Sequence, residues 1–277
     1  GLARALRDAG IARMRLADLS IAERDLTRAF EIDESIGDVD ETARALGAIA
    51  LVCQFTNRLE ESRSLLLRVL EMNRSERDDR ATLVTLVNLA ETEFALGETA
   101  NAVAHARESL DSAMLRLNMR MRANQEANLA AYLLALGEEK EARSVASRAL
   151  RHALEFADHS VATNTLQHLA AIIARRDAHR AARLLGYVEG QLARSGYTRE
   201  YSEQFTHDLV MNRLHDALSV DEIAVLRREG ASLSEEQAAL LARPLGRRTA
   251  SEKDHSAGFD ALSPVHNRPA APHETFL

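Results

Sequence analysis

The feature of the sequence that most constrains the fold is a pattern that returns every 40 residues. In its clearest copy, Leu129-Ala130 is followed by Leu136-Gly137 and then by Ala142 and Ala149. Self-similarity at a fixed period of this length indicates a stacked array of similar units. Each copy has a small residue seven positions before a position that breaks the helix, and these pairs are Gly10 and Ala17, Ala50 and Asn57, Ala90 and Gly97, Ala130 and Gly137, and Ala170 and Asp177.

The residue types at these positions indicate that each copy is a pair of helices. Small side chains let two helices approach closely, and leucines at i+3 and i+4 spacing form one apolar stripe on each helix. Gly97 and Gly137 can adopt the positive φ that ends a helix. Because one pair cannot bury its own stripe, neighbouring pairs must stack. The sequence therefore predicts an all-α solenoid of five helix pairs.

The pattern resembles the tetratricopeptide repeat (TPR). Relative to Ala130, the two alanines of that family's second helix are matched by Ala142 and Ala149. The resemblance covers roughly residues 1–195 and implies a right-handed superhelix. The chain departs from the family in its 40-residue period and in lacking the closing proline of each repeat. Repeats of this length look like those of large bacterial regulators of the MalT type, in which an NTPase module and an effector domain precede the repeats.

We expect the chain to divide into an array, a cap and a tail. The predicted helix pairs are residues 1–37, 41–75, 80–117, 121–157 and 160–195. Residues 198–242 are expected to form capping helices over the exposed end of the stack, which every solenoid requires. Within them, residues 226–242 resemble the closing element of the same regulators. Residues 243–277 are rich in Pro, His and Ser and are expected to be disordered.

Several polar residues are predicted to cap helices. Ser20-x-x-Glu23, Ser219-x-x-Glu222 and Ser234-x-x-Gln237 have the spacing of capping boxes, in which two orphan backbone N–H groups are satisfied reciprocally. Asp40 is expected to cap the helix that follows the first pair. These caps set the expected starts of four helices.

Charge and composition argue against some classes of binding partner and against a membrane span. The net charge of −7 and the pI near 5.8 argue against direct binding of nucleic acid or anionic lipid. One cysteine, Cys53, excludes an internal disulfide and fits a reducing compartment. No 18-residue apolar run and no signal peptide are visible, so we expect a cytoplasmic protein without a membrane span. Because Gly1 lies directly inside a helical pattern, we expect the chain to be a fragment of a larger protein.

The sequence carries no motif for catalysis. Nucleotide-binding glycine loops and the nucleophile elbow are absent, and no histidine pair has zinc-ligand spacing. His152, His159 and His168 are the nearest histidine cluster, and we expect them at the surface on different helices or a loop. Cys53 occupies a slot where the family packs an aromatic residue, which favours a buried, inert thiol over a redox sensor. We therefore expect no catalytic residue, no metal site and no cofactor.

The resemblance implies a concave groove lined by the first helix of each pair. The residues carried over to groove positions are Arg4, Arg44, Gln54, Phe55, Glu91, Phe94, Asn124, Asn164 and Gln167. Arginine forks and asparagine amides on successive helices can clamp the backbone or a carboxylate of an extended peptide. The alternative is a solvated inner face that binds nothing specific.

Three functional hypotheses follow. In the first, the chain is the C-terminal sensor and interaction region of a bacterial signal-transduction NTPase or transcriptional regulator. A protein, a peptide or a small-molecule inducer would then bias the NTPase upstream. In the second, it is a stand-alone scaffold that binds a protein partner. In the third, it is an all-helical enzyme, which the absence of catalytic motifs disfavours. The ligand and the oligomeric state stay open.

Overall fold

The computed structural model describes residues 1–112, 114–115, 118–196 and 199–243. Within these ranges the secondary structure is entirely helical, so the predicted fold class is confirmed. The predicted tail lies, apart from Arg243, outside the described residues. The helices are α1 (Leu2–Arg15), α2 (Leu19–Ile36), α3 (Val39–Phe55), α4 (Leu59–Glu76), α5 (Asp79–Ala95), α6 (Thr99–Asp111), α7 (Met119–Ala135), α8 (Glu139–Glu155), α9 (His159–Ala174), α10 (Ala178–Ser195), α11 (Tyr201–His215), α12 (Val220–Ala231) and α13 (Glu235–Ala242).

The first ten helices form five pairs that stack in sequence order. Within each pair the odd-numbered helix packs against the even-numbered one, and the even-numbered helix packs against the next odd-numbered one. Successive odd-numbered helices also contact each other directly. Neighbouring repeats lie closest together on the inside of a curved stack, so this contact places α1, α3, α5, α7 and α9 on the concave side. The predicted solenoid of TPR-like helix pairs is confirmed.

The small residues of the repeat are buried between packed helices, as predicted. Ala50, Ala130 and Ala170 are fully buried, and so are Ala142 and Ala149 in the following helix of the clearest copy. These positions sit where the two helices of a pair meet each other and the next pair. A larger side chain there would force the helices apart, since protein interiors are close-packed.

A residue with a positive φ angle ends the first helix of each pair, except in the fifth pair. Gly97 and Gly137 end their helices at φ 82°, and Asn57 adopts φ 59° at the equivalent point. The prediction of the same role for Asp177 is wrong. Asp177 has φ −151° and is instead the N-cap of α10, where its carboxylate accepts the Arg180 N–H at 3.0 Å. Helix α9 is one residue shorter than α7, so the register of α10 moves by one residue.

The helix caps repeat with the same period. The inner helices α3, α5, α7 and α9 are capped by side chains that each accept the backbone N–H three residues later, and these are Asp38, Asp78, Asn118 and Asp158. The prediction for Asp40 is therefore wrong, because it lies in the first turn of α3. The Ser20 capping box is also wrong, since α2 begins after Asp18. The boxes at Ser219 and Ser234 are confirmed.

The C-terminal end of the stack is covered by α12 and α13. Helix α12 packs along α10, and α13 packs against α9 and α10. Two glycines allow an unusually close crossing of α10 and α12. A Cβ atom on Gly186 would overlap the backbone oxygen of Arg227, and one on Gly230 would overlap that of Arg183. The crossing therefore depends on hydrogen being the side chain at both positions.

Candidate binding groove

The concave surface formed by α1, α3, α5, α7 and α9 is named the groove. Helix α11 lies inside it and packs against α5, α7 and α9. The groove therefore has an occupied half, on α5, α7 and α9, and an open half, on α1 and α3. The sequence analysis assigned residues 198–242 to the end of the stack and did not anticipate a helix in the groove.

The structure places the predicted groove residues on the first helices of the five pairs. Those in the open half are Arg4, Arg44, Gln54 and Phe55. Those in contact with α11 or the residues leading into it are Glu91, Phe94, Asn164 and Gln167. Asn124 is half-buried on α7. Their role in binding a separate partner remains a prediction.

Glu91 holds the start of α11. Its side chain is buried, and its carboxylate accepts the Tyr132 hydroxyl at 2.6 Å and the backbone N–H of Ser202 at 3.0 Å. Ser202 lies in the first turn of α11, where backbone N–H groups have no partner within the helix. A carboxylate at this position is also favoured by the helix dipole. Glu91 thus acts as a helix cap that the third repeat supplies to α11.

Three aromatic rings surround this contact. The Phe94 ring lies 4.9 Å from the Tyr132 ring, centroid to centroid, in a tilted arrangement. On the side facing α11 it meets the Phe205 ring edge-on at 5.6 Å. Aromatic pairs at these separations contribute about 0.5–1.5 kcal/mol beyond the area that they bury. The Phe94–Phe205 pair joins α5 to α11.

Gln167 and His168 on α9 bind the next turn of α11. The Gln167 amide is fully buried and donates to the Glu203 carbonyl oxygen at 2.6 Å and to the Thr206 hydroxyl at 2.9 Å. Its own oxygen accepts the Arg199 Nε–H at 2.9 Å. The Nδ1 atom of buried His168 lies 3.0 Å from the same Thr206 hydroxyl. Side chains on α9 therefore bind both backbone and side-chain groups of α11.

Acidic side chains gather at the start of α11. Burial raises the pKa of Glu91, and burial together with the charge of Glu91 raises the pKa of Tyr132 well above its usual value. Desolvation, with the charges of Glu91 and Glu203, raises the pKa of Glu200 to about 8. Glu200 is exposed, so water screens its charge and weakens this shift. Buried Glu203 accepts a hydrogen bond from the Asn164 amide.

The second half of α11 is held by apolar burial and by two hydrogen bonds. Val210 and Leu214 are fully buried in the main hydrophobic core. The Arg213 guanidinium donates to the Ala171 carbonyl oxygen and to a Glu139 carboxylate oxygen, both at 2.6 Å. Phe205, in the first two turns, packs against the same core, so apolar burial and hydrogen bonds hold both halves of α11.

The open half presents cationic and aromatic groups to solvent. The Phe55 ring is 57% exposed. Arg4 lies 4.0 Å from Asp8, and Arg44 lies 3.1 Å from Glu41, with all four side chains at least partly exposed. Exposed ion pairs of this kind contribute at most about 1 kcal/mol, so a ligand carboxylate can exchange for either partner.

The other residues considered from the sequence do not form a site. The expectation that the three histidines lie at the surface is wrong for His152 and His168, which are buried. Burial lowers the pKa of His168 to about 4, so its ring is neutral at pH 7. Cys53 is buried, as predicted, and burial raises the pKa of its thiol to about 11, which disfavours the thiolate at pH 7. No group of three or more His, Cys, Asp or Glu side chains suited to a metal ion occurs among the described residues.

Comparison with known proteins agrees with this architecture. Residues 1–75 and 41–114 match the tetratricopeptide repeat family. No curated protein matches the chain. A single-substitution variant of nearly identical TPR-like repeats from Podosopora anserina, assigned as a kinesin light chain, is 16% identical with a TM-score of 0.58, covering 70% of this chain and 96% of that one. The same repeats without that substitution are 15% identical with a TM-score of 0.54, covering 77% and 95%.

A third similar structure is the Rap conjugation gene regulator of the plasmid pLS20, in complex with the Phr* peptide. It is 14% identical with a TM-score of 0.53, and the match covers 78% of this chain and 62% of that chain. At these identities the likeness shows the fold alone. The tetratricopeptide fold is generally a non-catalytic interaction scaffold, and none of these matches indicates a catalytic family. No helix in the described part of the chain is long and apolar enough to cross a membrane.

Proposed function

We propose that the chain is a non-catalytic TPR domain whose groove binds a protein or peptide partner. The observation that carries this proposal is that the groove already holds a helix, α11, through side chains on α5 and α9. Recognition of a helix in a groove requires such contacts at fixed spacing. The open half adds the exposed ring of Phe55 and the guanidinium groups of Arg4 and Arg44.

We further propose that this domain is the C-terminal sensor and interaction region of a cytoplasmic bacterial NTPase or transcriptional regulator. Support comes from the 40-residue period and from the resemblance of residues 226–242 to the closing element of such regulators. A partner in the groove would change how the array contacts the domains before it. If the domain instead works alone, it is a scaffold with the same binding surface.

A capture experiment tests the binding role of the groove. The immobilised chain and its Arg44→Ala and Phe55→Ala variants are incubated with extract of the source cells. Arg151→Ala, an exposed arginine on outer helix α8, is the matched control. We expect the groove variants to lose a captured protein that the wild type and the control retain. Equal capture by all four proteins, with unchanged helicity, contradicts the proposal.

Whether the domain is part of a larger regulator is tested by the mass of the native polypeptide. An antibody raised against the chain is used to immunoblot the source cells. A band far above 30.6 kDa supports a larger regulator. A band near that mass contradicts this context and leaves the scaffold.

A further inference from the structure

An ion pair joins successive outer helices at the same position of the repeat in the first two junctions of the stack. Glu23 on α2 lies 2.7 Å from Arg58, which is the N-cap residue of α4. Arg63 on α4, 40 residues after Glu23, lies 3.1 Å from Glu98, the N-cap residue of α6, and 3.8 Å from Glu93 on α5. The signs of the charges are reversed between the two junctions. In both, an outer helix binds the next helix pair through opposite charges.

The same position lacks an opposite charge in the fourth pair. It is Val103 in the third pair, where a buried apolar side chain needs no polar partner, and Arg143 on α8 in the fourth. Arg143 is half-buried, yet its guanidinium makes neither a hydrogen bond nor an ion pair with any described residue. The N-cap residue of α10, Asp177, instead accepts the backbone N–H of Arg180 at 3.0 Å. Partial burial of an unpaired charge is unfavourable, because the charge loses water without gaining a partner.

The residues of the fifth pair around Arg143 are apolar or basic. Ile173, on α9, stands 80 residues after Glu93 and so replaces a carboxylate that Arg63 has. Arg176 is exposed in the turn between α9 and α10, and Arg180 lies in the first turn of α10. Burial, and then the charges of these two arginines, lowers the pKa of Arg143. Three guanidinium groups therefore gather at the junction of the fourth and fifth pairs.

Neighbouring groups do not neutralise this cluster. Glu139, one turn before Arg143 on α8, favours its charged form. One oxygen of that carboxylate, however, already lies 3.1 Å from Arg175 and 2.6 Å from Arg213. The Arg180 guanidinium donates to two backbone carbonyl oxygens at the end of α13, which fix its position but carry no formal charge. The junction therefore keeps an excess of positive charge.

We propose that Arg143, Arg176 and Arg180 form a binding site for a phosphate group, either free or carried by a small molecule. Arg63 shows what this position of the repeat accepts, because it lies against two carboxylates. A phosphate dianion supplies a similar charge from one centre, and its oxygens match the fork of a guanidinium group. The net charge of −7 disfavours a polyanion such as nucleic acid, so the ligand is a small one.

This site lies outside the groove. Its arginines are on the outer helices α8 and α10 and in the turn before α10. A phosphate bound there would join the fourth pair to the fifth, as the Glu23–Arg58 and Arg63–Glu98 ion pairs join earlier pairs. The inference is therefore independent of whether the groove binds a partner.

Isothermal titration calorimetry of the full chain tests the site with inorganic phosphate and with methyl phosphate. The buffer is chloride-based, of constant ionic strength and about pH 8, where both compounds are dianions. Arg143→Ala and Arg176→Ala each remove one guanidinium, and Arg151→Ala, an exposed arginine on the same helix α8, is the matched control. We expect saturable binding by wild type and control, and an affinity at least about tenfold lower in the other two variants. Binding of both compounds would identify a phosphate ester as an admissible ligand, and binding of inorganic phosphate alone would identify the free ion.

Three results would overturn the inference. A folded wild-type chain that shows no saturable binding of either compound at millimolar concentration would have no such site. Equal affinities in wild type, Arg143→Ala and Arg176→Ala would mean an adventitious ion only. An equal affinity of the wild type for succinate would mean that the arginines select charge and not phosphate. Arg176 is exposed in a turn, so its variant decides the test if Arg143→Ala loses helicity.

Discussion

Replacing Thr206 with valine removes one hydroxyl from the interface of α11 and α9 while keeping the shape of the side chain. That hydroxyl donates to the Glu203 carbonyl oxygen at 3.0 Å. Its oxygen is therefore the acceptor for the Gln167 amide at 2.9 Å and for the ring N–H of His168 at 3.0 Å. Valine would leave both groups facing a methyl group inside the protein.

The cost falls mainly on His168. Gln167 keeps the Glu203 carbonyl oxygen as a second acceptor at 2.6 Å, so its loss is small. His168 is 1% exposed and neutral, and Thr206 is its one hydrogen-bond partner within the described ranges. A buried donor left without an acceptor costs about 1–3 kcal/mol. We therefore expect docking of α11 to weaken by that amount, or about 5- to 150-fold in its opening equilibrium.

Amide hydrogen exchange at pH 7 measures this directly. Amides of α11 should exchange faster in Thr206→Val by the same factor, because local opening controls their rate. Amides of α3, which has no part in this network, should be unchanged. Thr206→Ser is the matched control, since it keeps the hydroxyl and should exchange almost as wild type does. Unchanged α11 rates in Thr206→Val, or equal acceleration in every helix, would refute the reasoning.

Three other substitutions, the first with a control, test the cap, the stack and the charge cluster. Gly230→Ala forces a methyl group against the backbone of Arg183 and should lower the free energy of unfolding by about 1–3 kcal/mol in thermal melts. Gly47→Ala, which has open space around it, should raise it by about 0.5–1 kcal/mol, and equal effects would reject the close crossing. Ala130→Leu should cost about 1–3 kcal/mol, and an unchanged melting temperature would contradict the repeat register. Because burial raises the pKa of Glu91, the folded chain keeps a proton that the unfolded chain releases. This contribution to stability is complete below the ordinary value of 4.5 and is lost as pH rises through the raised pKa. Glu91→Gln should flatten that part of the profile, and an unaltered profile would show that Glu91 does not titrate there.

The repeat could be predicted because each of its signals has a local cause. Ala50 and Ala130 are small since helices cross there, and Gly137 ends a helix because its φ is positive. Because the same packing recurs in every helix pair, the same residue pattern appears several times in the sequence. The repeat also led to the wrong role for Asp177. Because α9 is one residue shorter than α7, every later position is displaced by one residue relative to the repeat.

The position of α11 in the groove could not be predicted in this way. The first helices of the pairs were identified by register, and Glu91, Phe94 and Gln167 do face the groove. Their contacts, however, are with Ser202, Phe205 and Thr206, which lie outside the repeats. The sequence of α11 has no period in common with the array, and its burial on several sides leaves no single apolar stripe to indicate a docking site. The position of a helix that packs against distant repeats depends on many specific side-chain contacts. It cannot be predicted from the spacing of residues along the chain.

The most direct test of the central claim, that α11 lies in the groove against α5, is a double-mutant cycle between Phe94 and Phe205. Unfolding free energies are measured for wild type, Phe94→Ala, Phe205→Ala and the double variant. Two rings with centroids 5.6 Å apart should show a coupling of about 0.5–1.5 kcal/mol. Additive effects, with coupling below about 0.3 kcal/mol, would mean that the two residues do not meet and that the groove is not occupied by α11.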